Sequence, residues 1–65
     1  MKILVNGQWR EVASSSVMEL LEAMSLEPRR VAVELNKRIV PRARYGATAL
    51  AENDCLEIVT LVGGG

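Results

Sequence analysis

A chain of 65 residues makes one domain near the lower size limit for a self-sufficient core, hiding only about 60% of its unfolded surface and leaving no room for a deep, walled active site. Apolar residues make up 49% of the chain but aromatic residues only 3%, so the core must be aliphatic. Histidine is absent and the formal net charge is zero, which removes Ser-His and Cys-His pairs, an imidazole base and the usual zinc site and argues against a nucleic-acid partner.

In chain order, Lys2-Ile3-Leu4-Val5-Asn6 reads as a strand. Asn6-Gly7 is the strongest short signal for a hairpin turn, and Trp9-Arg10-Glu11-Val12-Ala13 returns as the partner strand. Ser14, Ser15 and Ser16 break the pattern. From Val17 the period becomes helical: Val17, Leu20, Leu21 and Met24 fall on one stripe. Ser16 and Glu19 have capping-box spacing. Pro28 restricts Glu27 and lacks an amide hydrogen, so the helix is expected to stop by Leu26 after roughly two to three turns.

Val31 to Asn36 is a third strand, with Val31, Val33 and Leu35 on one side. Asn36-Lys37 bends the chain into Arg38-Ile39-Val40, a fourth strand halted by Pro41 and suited to an edge. A helical turn is expected around Ala43 to Ala47, then a turn at Asn53-Asp54. A last strand runs from Cys55 to Val62 and meets Gly63-Gly64-Gly65. One helix with one apolar stripe covers one face of one sheet, which gives a two-layer α+β domain with a mixed sheet of about five strands. The first and last strands are the most apolar and belong side by side in the centre, a β-grasp arrangement. Alternation turns Ile3, Val5, Leu56 and Ile58 toward the helix, and Leu4, Val59 and Leu61 toward the open face. Those three either form a docking patch or are ordinary surface apolar residues.

Residues 1–62 thus form the domain, and 63–65 a flexible tail. Glycine offers no Cβ to pack, and three extended glycines carry a terminal carboxylate about 10 Å beyond the sheet. That group is a poor electrophile, so acyl chemistry on it needs activation from outside. Residues 29–44 hold Arg29, Arg30, Lys37, Arg38, Arg42 and Arg44 against the single acid Glu34, which points to one basic face. Arg42 and Arg44 either meet acids on a partner or belong to a solvated surface. Trp9 and Tyr45 read as packing at a sheet edge. Cys55 reads as a structural thiol, with no disulfide partner in the chain. No apolar run exceeds that of Ile3-Leu4-Val5, so neither a membrane span nor a signal peptide is expected, and the cytoplasm is the expected location.

Met1-Lys2-Ile3 through Asn6-Gly7, Arg30-Val31-Ala32-Val33-Glu34-Leu35-Asn36, Ile39-Val40-Pro41-Arg42, and Leu56-Glu57-Ile58-Val59-Thr60 before Val62-Gly63-Gly64-Gly65 together resemble the ThiS family of ubiquitin-like sulfur carriers in thiamine biosynthesis. The match runs in order over essentially the whole chain. Asn36-Lys37 stands where the family often has Asn-Gly, and Asn53-Asp54 where it often has Gly-Asp. Cys55 is outside the family pattern. The resemblance implies that Gly65 is the acyl carrier, with Gly63 and Gly64 threading into partners and Leu4, Val59, Leu61 and Arg42 docking. A ThiF-like adenylyltransferase would use Mg-ATP to adenylate the carboxylate, with no cofactor or metal held by this chain. Persulfide sulfur from a cysteine desulfurase would convert the adenylate to a thiocarboxylate, and a ThiG-like thiazole synthase would accept it. Such a protein is a cosubstrate, not an enzyme. The alternatives are the small subunit of molybdopterin synthase, usually richer in Phe, a ubiquitin-like modifier, and a nucleic-acid-binding β-grasp module.

Overall fold

The computed structural model describes residues 1–61. Its elements are β1 (Lys2–Val5), β2 (Gln8–Glu11), α1 (Val17–Ala23), a 3₁₀ turn (Pro28–Arg30), β3 (Val31–Leu35), β4 (Arg38–Val40), a second 3₁₀ segment (Arg42–Ala47) and β5 (Cys55–Thr60). The sheet order is β2-β1-β5-β3-β4. The first and last strands do lie side by side, and they run parallel. The other neighbours are antiparallel. The expected β-grasp architecture is present, with β4 at an edge as Pro41 required.

Two tight turns set the register of the hairpins. Asn6 and Gly7 have φ of 51° and 81°, and Val5 pairs with Gln8. Asn36 and Lys37 have φ of 52° and 72°, and Leu35 pairs with Arg38. Positive φ at both central residues is what a type I′ turn demands. Lysine meets that demand less easily than glycine.

The helix starts where expected and stops earlier. Ser16 is the N-cap, its hydroxyl accepting the Glu19 N–H at 3.2 Å. The reciprocal arm of the box goes elsewhere: the Glu19 carboxylate accepts the Ser15 N–H at 2.7 Å and the Ser15 hydroxyl at 2.8 Å. At the other end the helix closes at Ala23, inside the Leu26 limit and after about two turns. Ser25 takes a left-handed φ of 58°, its N–H reaching the Glu22 carbonyl and that of Leu26 the Leu21 carbonyl. This pair of bonds is the Schellman motif, with serine where glycine is commonest. The helix therefore ends by its own cap, before Pro28 can act; the proline instead opens the next 3₁₀ turn.

The core is aliphatic, as the composition demands: Ile3, Leu20, Leu21 and Leu56 are among its fully buried side chains. Tyr45 is the correction. It is only 2% exposed, a core residue carried by the 3₁₀ segment to the side of β3 that β4 leaves uncovered. Its hydroxyl donates to the Val31 carbonyl at 3.2 Å. Alternate carbonyls of β3 face β5, so that of Val31 faces β4, which has already ended at Val40. Tyr45 thus supplies the missing rung. Burial pushes its phenol pKa up, against the opposing pull of the Arg42 charge. Trp9, by contrast, is 55% exposed on edge strand β2, with the Lys2 ammonium 5.3 Å from its ring centroid.

Candidate functional site

The last strand is the middle of the sheet, and its final described residues, through Leu61, form the root that precedes the glycines in sequence. Gly63, Gly64 and Gly65 lie outside the described residues, as does Val62, which the sequence reading had placed in this strand. The root itself is defined. On its β3 side it is paired to the end: Val31 opposes Thr60, and the Leu61 N–H donates to the Arg30 carbonyl at 2.7 Å.

On its β1 side the pairing stops sooner. The parallel register is Leu4 to Cys55 and Val5 to Leu56, and the Asn6 N–H donates to the Leu56 carbonyl at 2.9 Å. There β1 turns away into its hairpin. The Asn6 side chain then stands in for the departed strand: its Oδ1 accepts the Ile58 N–H at 2.7 Å and its Nδ2 donates to the Ile58 carbonyl at 3.0 Å. Sequence reading saw Asn6 only as a turn residue. Its second role depends on a partner 52 positions away and leaves no local signature.

The open face carries the apolar residues expected of it, spread more widely than a single patch. Val59 and Leu61 are 58% and 50% exposed and, two residues apart, point the same way. Leu4 is half-buried and sits beside Cys55, about 13 Å along the strand from Val59 at about 3.3 Å per residue. Glu57 lies between them and pairs directly with Glu34. Ile39, opposite Glu34 and 68% exposed, belongs to this face too. It was missed because a three-residue strand gives too little alternation to assign a side. Cys55 is half-buried, with its N–H bound by Asn36 Oδ1 at 3.0 Å.

The basic segment does not make one face. Arg42 follows the end of β4, exposed, and antiparallel pairing of β3 with β4 brings it to the same end of the sheet as Arg29, Arg30 and Leu61. Lys37 and Arg38, in and after the β3–β4 turn, belong to the opposite end. The hairpin divides a charge run that is continuous in sequence.

Among the described residues no group of three or more His, Cys, Asp and Glu side chains is placed to hold a metal ion, and no helix is long and apolar enough to cross a membrane. A cleft of about 280 Å³ between the far end of β2 and α1, lined by Val12, Leu20, Ala23 and Met24 among others, is at the end of β2 away from the Asn6 turn. What the described residues present is the end of β5 paired to β3, an open apolar face beside it and arginines at the same end of the sheet.

Comparison with known proteins agrees with this arrangement. The ThiS family model matches residues 3–65. The sulfur carrier protein ThiS of Bacillus subtilis is 38% identical over 64 residues, covering 94% of this chain and 96% of that protein. A thiazole synthase of Paramagnetospirillum magneticum is 42% identical over 66 residues, covering all of this chain and 20% of that protein. The chain thus spans about a fifth of the length of that relative. The crystal structure of the thiamine biosynthesis protein ThiS from Geobacter metallireducens superposes with a TM-score of 0.85 at 33% identity, covering both chains fully.

Proposed function

The chain belongs to the ThiS family, and on that premise we propose that it is a sulfur carrier of thiamine biosynthesis whose Gly65 carboxylate is the group transformed. The observation that carries this reading is the family match through residue 65, which takes in Gly63, Gly64 and Gly65 as well as the platform. Residues 1–62 are that platform, and the last three are the part that enters partner sites.

The chemistry follows from what a carboxylate lacks. Its carbon is a poor electrophile and its oxygens poor leaving groups, so a ThiF-like adenylyltransferase joins it to AMP from Mg-ATP, releasing pyrophosphate. The terminal sulfur of a persulfide, delivered from a cysteine desulfurase, attacks the acyl carbon and expels AMP. A thiol then cleaves the acyl–S–S bond, leaving the Gly65 thiocarboxylate and a disulfide. The thiocarboxylate donates its sulfur to a thiazole synthase. Nucleotide, magnesium and acid–base groups all belong to the partners, so this chain is a cosubstrate and not an enzyme. Val59, Leu61 and Arg42, gathered at the root, are the docking residues, with Leu4 at the far edge of the same face. The cytoplasm is the location this reading expects, because nucleotide and thiol reactants are held there.

The thiazole synthase of Paramagnetospirillum magneticum supports that acceptor over a molybdopterin one, because it carries within one polypeptide a stretch 42% identical to this whole chain. The test is intact mass after incubation with a ThiF-like enzyme, Mg-ATP and a persulfide donor, where replacement of O by S adds about 16 Da. Removing Gly65 abolishes the gain. A wild-type chain that stays at its starting mass beside an active enzyme would falsify the reading.

A further inference from the structure

In β5, residues 55, 57, 59 and 61 turn their main-chain groups toward β3, as the bonds at Cys55 and Leu61 show. Residues 56, 58 and 60 turn theirs toward β1. Leu56 meets the Asn6 N–H and Ile58 meets the Asn6 carboxamide. Thr60 is the next rung on that side, it is exposed, and among the described residues nothing pairs with it. At Thr60 the central strand of the sheet therefore has an open edge among the described residues, and an open edge is a template for another strand.

We infer that this edge is an interaction surface: an extended segment of the activating adenylyltransferase hydrogen-bonds to the main chain of Thr60 in the space β1 vacates, and lays apolar side chains over Val59 and Leu61. The inference rests on the carrier reading and adds how the tail is recognised. Glycines have no side chains to be read, so a partner that draws them in must read N–H and C=O groups, the strand-addition mode of peptide recognition. Thr60 begins that reading before the glycines are reached. Asn6 sets where it begins, because its carboxamide closes the rung at Ile58 and leaves Thr60 as the first one free.

Two measurements on the full chain test this. In the free protein the Thr60 amide exchanges with solvent faster than those of Ile58 and Leu61, whose N–H groups are bound; with the adenylyltransferase added, Thr60 becomes protected. Second, a chemically synthesised chain with the Thr60 amide replaced by an ester loses the N–H without changing any side chain. It binds the enzyme about 3- to 10-fold more weakly, the loss of one hydrogen bond. Thr60→Val, which keeps the main chain, binds within about twofold of wild type. Thermal melting of the ester chain separates a binding defect from a folding one. If the wild-type chain gains sulfur while Thr60 exchange is unchanged by the enzyme, or the ester chain folds and binds as wild type does, the edge is not read and the inference is overturned with the carrier reading intact. If the wild-type chain is neither bound nor charged with sulfur, the carrier reading falls and the inference falls with it.

Discussion

Replacing Lys37 with glycine is expected to stabilise the protein. Lys37 holds a φ of 72° at the second central position of the β3–β4 turn. A left-handed conformation costs a residue with a Cβ about 1–2 kcal/mol. The turn's other anchor does not depend on it: Asn36 donates to Asp54 Oδ1 at 3.0 Å and accepts the Cys55 N–H at 3.0 Å. The Lys37 side chain is exposed and makes no ion pair among the described residues, so its removal forfeits little. Against the relief stands the greater freedom glycine gives the unfolded chain, roughly 0.5–1 kcal/mol. The balance is a net gain of about 0.5–1 kcal/mol, and in a domain of this size it raises the melting temperature by about 2–8 °C. Far-UV circular dichroism melts of wild type and Lys37→Gly measure it, with urea m-values checking that the unfolded state is comparable. A variant that melts at or below the wild-type temperature refutes the reasoning, because it means the left-handed turn is not where the strain lies.

Tyr45→Phe removes the donor that completes the ladder at Val31 and leaves a buried carbonyl unpaired, at about 1–3 kcal/mol; the melting temperature falls by at least about 4 °C. Glu19 is held below the ordinary carboxyl pKa first by the Ser15 N–H and then by the Ser15 hydroxyl, so its charged form favours the folded state. Glu19→Gln therefore melts below wild type at neutral pH, and the difference closes as pH falls through the lowered value. Melts from about pH 7 to about pH 3 show this, and a gap that widens in acid contradicts it. Leu61→Asp changes an exposed side chain and keeps the main-chain bond to Arg30, so the melting temperature stays close to that of wild type, but the KM for the proposed adenylation rises by about tenfold or more if Leu61 meets the partner's apolar surface. Unchanged steady-state kinetics remove Leu61 from the docking face.

Local features were legible in the sequence. The Asn6-Gly7 turn, the Ser16 cap, the single apolar stripe of α1 and the edge strand before Pro41 each depend on neighbours within a few residues, and each is present. What escaped depends on register between distant strands. Tyr45 and Asn6 both finish a ladder where the adjacent strand has ended, and nothing near either residue reveals which carbonyl it will meet. The separation of Leu4 from Val59 likewise follows only once β1 is set in register against β5, while that of Lys37 from Arg42 follows from the β3–β4 hairpin. Ser25 was missed for a different reason: a left-handed serine at the end of a helix does not resemble the expected glycine, so the stop was assigned to Pro28.

The parallel pair of β1 with β5 brings Leu4 against Cys55, with β2, α1, β3 and β4 all lying between them in sequence. During synthesis, residues 1–54 can make both hairpins and the helix but cannot build a continuous sheet, because the strand that bridges β1 and β3 has yet to emerge. Closing so long a loop is the slow step in a small fold. A fragment that ends before β5 therefore has hairpins and a helix without a continuous sheet, and completion of the sheet waits on its last strand.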